Sequence, residues 1–267
     1  MSSTTWAAFD IPAVPPQRER RVRGRFRRPP ERVLRADTPG QVPAVVAAAE
    51  AAAMAGNWVL GGLRYPAAGA WDAAQLALPD VGPAATFEVY PGPPEPWPED
   101  PVALPALDWR PDAGLAGGRT GEEAVATVLD HIAAGDCYQV NLTTSWRAST
   151  PGLDLFAYFE SLAAAQPGGY AVFSATAGVA SVSPELFFHR RGEDVVTQPM
   201  KGTAPASADP DVLGTPKERA ENLMIVDLLR NDLGRVCRTG TVRVDRLFEV
   251  HRLPTVWQQT STVSGRL

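Results

Sequence analysis

From residue 169 to residue 198, apolar and polar positions alternate in short runs broken by turn residues. This pattern predicts strands over Gly169–Ser174, Ala177–Val182, Leu186–Arg190 and Val195–Gln198. Consecutive strands joined by tight turns favour an antiparallel sheet over βαβ units, so the expected class is α+β, antiparallel sheets packed with helices. Three helices flank them. Asp37-Thr38-Pro39 is a start signal for an Ala-rich helix to Ala55, stopped at Gly56 and followed by a strand over Asn57–Tyr65. Thr120 and Glu123 form a capping-box pattern opening a helix to Ala134, ended by Gly135. Thr215-Pro216-Lys217-Glu218 repeats that pattern at the head of a helix running through Asn231.

The segment from Cys137 to Trp146 alternates like a strand, with Tyr138, Val140 and Leu142 on one face. Its other face carries Cys137, Gln139, Asn141 and Thr143, all polar or small, which suits solvent and the floor of a polar pocket equally well. Pro91-Gly92-Pro93-Pro94-Glu95-Pro96-Trp97-Pro98 cannot enter a helix or a sheet interior. It reads as a linker between an N-terminal section, 1–117, and a second section, 118–267.

Composition narrows the function classes. A net charge of -5 argues against nucleic acid as the main partner, so the arginine cluster over residues 18–28 reads as a solvated edge or arm. No apolar run approaches the roughly 20 residues needed to span a bilayer. Cys137 and Cys237 have no metal-type spacing and no secretory signal precedes them, so a reduced, cytoplasmic setting is expected. Neither lies in a Gly-x-Cys-x-Gly elbow, which argues against a glutaminase nucleophile in this chain.

Lysine use is the strongest chemical signal. The chain has 23 arginines and two lysines, and one of these, Lys201, stands in Thr197-Gln198-Pro199-Met200-Lys201-Gly202-Thr203. An ammonium can lose its proton and become a nucleophile, whereas a guanidinium effectively cannot. Glu185, in Ser183-Pro184-Glu185-Leu186, falls at the edge of the same predicted sheet. On the third helix, at 100° per residue, Glu221 shares an arc with Met224, Ile225, Leu228 and Leu229 and is expected to face the core. There it needs a cation, either a metal or an arginine. Glu218, about 60° away, reads as the cap partner of Thr215.

Gln139, Glu185, Lys201 and Glu221 thus supply a pocket wall, a candidate general acid, a candidate amine nucleophile and a candidate metal ligand. Around these residues the chain resembles the chorismate-utilising enzymes, and within them the aminodeoxychorismate synthase component I family. The matching stretches are Gly135-Asp136-Cys137-Tyr138-Gln139-Val140-Asn141-Leu142, Ser183-Pro184-Glu185, Pro199-Met200-Lys201-Gly202-Thr203 and the run from Lys217 to Arg235. The resemblance implies that Lys201 attacks C2 of the chorismate ring while the 4-hydroxyl departs, with Glu185 as general acid. Ammonia then attacks C4 and expels the lysine. It also implies substrate contacts from Gln139, Asn141, Gly202 and Thr203, a Mg²⁺ ion on Glu221, and a glutamine amidotransferase partner, component II. The product, 4-amino-4-deoxychorismate, leads to para-aminobenzoate and folate.

Related families separate at single positions. Anthranilate synthases, the alternative reading, resemble this pattern but carry a small residue where Lys201 stands. Isochorismate and salicylate synthases carry a lysine base at the position of Gln139. Val256-Trp257-Gln258-Gln259-Thr260-Ser261 resembles a family segment in which Gln258 is often a histidine needed for aromatisation, which favours amination. His251 reads as a surface histidine. The family pattern continues beyond Leu267, through a Gly-rich segment and a second metal-binding glutamate, so the fold is expected to be incomplete at its C-terminus. A non-catalytic remnant is the competing class.

Overall fold

The computed structural model describes residues 4–14, 17–72, 74–75, 82–97, 107–111 and 120–267. In chain order these form Ala7–Val14 (β1), Gln17–Phe26 (β2), Arg32–Ala36 (β3), Val42–Met54 (α1), Trp58–Leu63 (β4) and Ala85–Tyr90 (β5). Arg110–Pro111 (β6), Gly121–Ala134 (α2), Trp146–Arg147 (β7) and Leu155–Ala165 (α3) follow. The remainder comprises Tyr170–Ser174 (β8), Val179–Ser183 (β9), Leu186–Arg191 (β10), Asp194–Gln198 (β11), Met200–Pro205 (β12), Pro216–Gly234 (α4), Arg243–Arg252 (β13) and Val256–Arg266 (β14). All pairings are antiparallel and helices lie among them, the α+β class expected. Among the described residues no helix is long and apolar enough to cross a membrane.

Two compact units emerge, Met1–Val102 with Leu155–Leu267, and Ala103–Asp154. The boundary expected near residue 118 lies outside the described residues, and the larger unit draws on both sides of it. The register Ala7↔Ser174 to Asp10↔Ala171 joins β1 to β8, giving a sheet of order β2-β1-β8-β9. A chain cut into independent halves would split that sheet. The arginine-rich segment is its edge strand β2, held in place by Asp10, which is buried and accepts from Arg21 Nε at 2.7 Å and Arg23 Nε at 2.6 Å.

The proline-rich segment is docked rather than spanning open space. Arg25 and Glu95 exchange backbone hydrogen bonds of 3.0 and 2.9 Å, and Pro94 lies against Gly24. Only the outer edge of β2 tolerates such a partner, because proline brings no N–H to a ladder. Trp97 then stacks on Phe159 of α3 at 5.2 Å and donates Nε1–H to Glu160 at 2.8 Å. Pro98 lies outside the described residues.

A second sheet, β3-β5-β4, carries α1 through Ala36, Val42, Ala67, Ala84 and Ala85. Small side chains let the helix approach closely, and Gly56 at φ 89° follows its end, as the sequence predicts. Phe9, Phe26, Leu60 and Tyr90 join this sheet to the first. In that layer Glu88 is buried and accepts from Tyr90 Oη and Ser174 Oγ, both at 3.1 Å. Burial, reinforced by the Glu88 charge and hydrogen bond, pushes the Tyr90 phenol well above its ordinary value of 10.0. The folded state therefore holds this proton when the unfolded chain has lost it, and stability falls as pH rises through and beyond about 10. Denaturant titrations above pH 10 should show that decline, and Tyr90→Phe should flatten it; an equal slope in both proteins would exclude Tyr90 as its source.

In the smaller unit, Thr120 accepts from Glu123 N–H at 3.2 Å and Glu123 Oε2 accepts from Thr120 N–H at 2.7 Å. This is the capping box expected for α2, and Gly135 closes the helix at φ 81°. The strand expected over Cys137–Trp146 does not form: only Trp146–Arg147 pairs, with Arg110–Pro111. A strand needs a neighbour for its backbone groups, and among the described residues none lies beside 137–145. Tyr138, Val140 and Leu142 are exposed.

Candidate active site

The third sheet of the larger unit has β14 at its centre, with β13 along one edge and β11 and β12 in succession along the other. The last two are one path broken at Pro199. Pro199 offers no N–H, but its carbonyl still accepts from Ser261 N–H at 3.1 Å, so the chain stays attached to β14 across the break. Met200↔Thr260 then restarts the ladder and Thr203↔Gln258 continues it, leaving Lys201 and Gly202 together opposite Gln259. This is a β-bulge, a device that re-aims a side chain.

Gly202 makes the bulge possible. Its φ is 91°, and a Cβ there would stand 3.1 Å from Glu218 Oε2 and 3.4 Å from both Gln259 Cβ and Leu213 Cδ2. Left-handed backbone and close packing both select glycine. The half-buried Lys201 is thus displayed by a local backbone irregularity with Glu218 packed beneath it.

Glu185 reaches the same place from β10. That strand pairs with β11 only as far as Leu186↔Gln198, so no β10 residue lies opposite Met200. The Glu185 side chain takes over, with Oε1 accepting from Met200 N–H at 3.0 Å. Ser183 Oγ accepts from Glu185 N–H at 3.2 Å and fixes the turn that presents it. The structure therefore brings Glu185, Lys201, Gly202 and Thr203 together. Gln139 and Asn141 belong to the smaller unit, on the irregular segment after α2.

Helix α4 corrects the reading of its two carboxylates. Its buried positions are Asn222 and Val226, so the stripe facing β14 is centred one residue beyond the predicted arc. Glu221 does not point into the core: its side chain is 45% exposed and lies 3.5 Å from Lys217 Nζ. Glu218 is the more enclosed, at 22%, with Oε1 3.7 Å from the same ammonium. Its backbone N–H reaches Thr215 Oγ1 at 3.4 Å, yet its carboxylate turns toward Gly202 instead of closing a capping box. The arc misplaced the helix because half of its apolar residues, Leu223, Met224 and Leu228 among them, are exposed. The polar residue that the packing does bury is Asn222, whose Oδ1 accepts from Ser261 Oγ at 2.5 Å.

Two other sequence readings change at β14. Gln258 Nε2 donates to Thr203 Oγ1 at 2.9 Å, tying β14 to the strand that carries the lysine. His251 is half-buried, with Nε2 2.9 Å from Thr260 Oγ1, and is not a free surface group. Gln259, missed by sequence pattern, is buried beneath Gly202 and donates to Leu213 O at 2.9 Å. No local pattern in the sequence marks it, because its burial follows from the packing of β14 against its neighbours.

Among the described residues no group of three or more His, Cys, Asp or Glu side chains gathers as a metal site. Two carboxylates, Glu218 and Glu221, do converge on a single cation, the Lys217 ammonium. That oxygen donor pair suits Mg²⁺, which is commonly held by one or two carboxylates with water and substrate completing its shell.

Comparison with known proteins identifies the family and the fold. Residues 119–267 match the family model for chorismate binding enzyme. The chain is 44% identical over 169 residues to aminodeoxychorismate synthase component 1 of Klebsiella aerogenes, covering 60% of this chain and 37% of that protein. It is 42% identical over 160 residues to anthranilate synthase component 1 of Streptomyces coelicolor, covering 54% and 30%. The aligned region spans about a third of the length of these curated relatives. A Bacillus anthracis protein described as a 2,3-dihydroxybenzoate-specific isochorismate synthase shares the fold across 100% of this chain and 69% of its own, with TM-score 0.68 and 19% identity. Anthranilate synthase component I of Streptococcus pneumoniae matches 79% of this chain and 57% of its own, with TM-score 0.58 and 23% identity. With a family match over more than half of its length and the fold of chorismate-utilising enzymes, the chain belongs to the chorismate binding enzyme family.

Proposed function

We propose that this chain carries the amine nucleophile and the general acid of an aminodeoxychorismate synthase component I. The observation that supports this most is the hydrogen bond from Met200 N–H to Glu185 Oε1, which anchors a carboxyl group on the backbone of the residue preceding Lys201. In the first step the neutral Lys201 amine forms a bond to C2 of chorismate. The ring double bonds shift and the C4–O bond breaks. The departing hydroxyl takes a proton from Glu185 and leaves as water, while Nζ gives up a proton to solvent. Glu185 Oε1 is engaged as an acceptor, so Oε2 is the oxygen that carries the acid proton. Ammonia then bonds to C4, the double bonds shift back, and the C2–Nζ bond breaks with its electron pair going to Nζ. The proton that the new C4 amine loses is balanced by the one Nζ takes up, and Glu185 regains from solvent the proton it gave.

Glu218 and Glu221 are the residues that would hold Mg²⁺. Bound there, the ion would neutralise a substrate carboxylate. Gly202 and Thr203 are assigned to substrate contact, and ammonia to a glutamine amidotransferase partner. The product would enter para-aminobenzoate and folate synthesis in the cytoplasm. Lysine at position 201 and glutamine at 258 favour this reading over anthranilate synthesis.

A covalent intermediate makes the proposal testable on the chain itself. Incubation with chorismate and Mg²⁺ in the absence of ammonia should add the mass of chorismate less one water. Peptide mapping should locate the addition at Lys201. An unmodified chain that nonetheless forms the aminated product when ammonium is supplied would rule out the lysine route.

A further inference from the structure

We infer that Gln258 is a positioning residue that commits the Thr203 hydroxyl to donate its hydrogen bond to a substrate carboxylate, an assignment that rests on the proposed chorismate site. The two residues are direct partners across β12 and β14, and Gln258 Nε2 donates to Thr203 Oγ1 at 2.9 Å. A hydroxyl has one proton and two lone pairs, so an incoming N–H takes a lone pair and turns the O–H outward. A threonine without that donor would distribute its proton over several rotamers.

The position gives the outward proton a target. Thr203 follows Lys201 by two residues, a separation of at most about 7 Å along an extended chain. A ring bearing two carboxylates and bonded to Lys201 spans such a distance. Gly202, lying between them, offers no side chain to block the approach. On the other side of β14, Gln258 faces His251 in register, but the His251 ring is engaged with Thr260 Oγ1 at 2.9 Å. The donor to Thr203 is therefore an amide that does not titrate, so the hydroxyl keeps its orientation as pH changes.

Chorismate affinity of the intact 267-residue chain, measured by calorimetry with Mg²⁺, tests the assignment. Thr203→Val should weaken binding about tenfold, the loss expected for a hydrogen bond to a charged group. Gln258→Met should cost a comparable factor, while Thr203→Ser should stay within about twofold of the parent. The double variant Thr203→Val/Gln258→Met should bind no more weakly than Thr203→Val alone, because the amide acts only through the hydroxyl. Gln258→Leu replaces the Met variant if that protein does not fold. Unchanged affinity in the Gln258 variant, or losses that add in the double variant, would overturn the positioning role and leave the proposed function standing. A parent chain that does not bind chorismate would overturn the proposed function, and this inference with it.

Discussion

If the proposed function holds, Lys201→Ala is expected to lower chorismate amination by at least about 1,000-fold, on the scale of removing a covalent nucleophile. Lys201→Arg should lose as much, since a guanidinium keeps its charge but cannot be deprotonated to attack carbon. Neither change should unfold the protein. Lys201 is half-buried in a bulge whose backbone is determined by Pro199 and Gly202, so stability should move by less than about 0.5 kcal/mol. The measurements are product formation by chromatography, the covalent adduct by mass spectrometry, and the melting temperature. Appreciable turnover by the alanine variant would remove Lys201 from the mechanism, and a collapsed melting curve would assign the residue to the fold instead.

Phe159→Ala should produce the largest loss of stability. Phe159 is fully buried on α3, stacked on Trp97 at 5.2 Å and packed against Phe173 at 5.6 Å and Phe156 at 6.2 Å. Its truncation removes most of a ring's contacts from both the helix and the docked proline-rich segment, leaving a cavity that its three aromatic neighbours, Trp97, Phe156 and Phe173, cannot collapse to fill. The expected cost is about 3–5 kcal/mol, or a fall in melting temperature of roughly 10 °C. Phe159→Leu should lose less than half of that. A cost below about 1 kcal/mol for the alanine variant would mean that Trp97 and α3 are held by something other than this cluster.

The site was legible in the sequence where its logic is local. Thr120 with Glu123, Thr215 before Pro216, and the short strands over 169–198 are patterns of neighbours, and the structure repeats them with small shifts at the ends. Lys201 stood out through composition and Glu185 through its place at a turn. Their association was not visible, because it depends on β10 ending at Leu186 and leaving Met200 N–H to a side chain. The face of α4 was misread for a related reason. A helical wheel ranks residues by apolarity, whereas contact with β14 buried Asn222 and left Leu223, Met224 and Leu228 exposed. The arginine cluster read as a solvated edge or arm is the edge strand β2, and only the fold shows that Arg21 and Arg23 are compensated by Asp10 from a neighbouring strand.

Chain chemistry alone specified the helix caps, the antiparallel class, the unusual lysine and the family resemblance, since each needs only residue identity and spacing. Tertiary structure decided which carboxylate packs beneath Gly202, which glutamine holds Thr203, and how β1 and β8 come to share a sheet. Those outcomes turn on pairing between segments tens to more than a hundred residues apart. Backbone groups left over by one strand must be satisfied by whatever the fold brings alongside, and no local pattern records that partner.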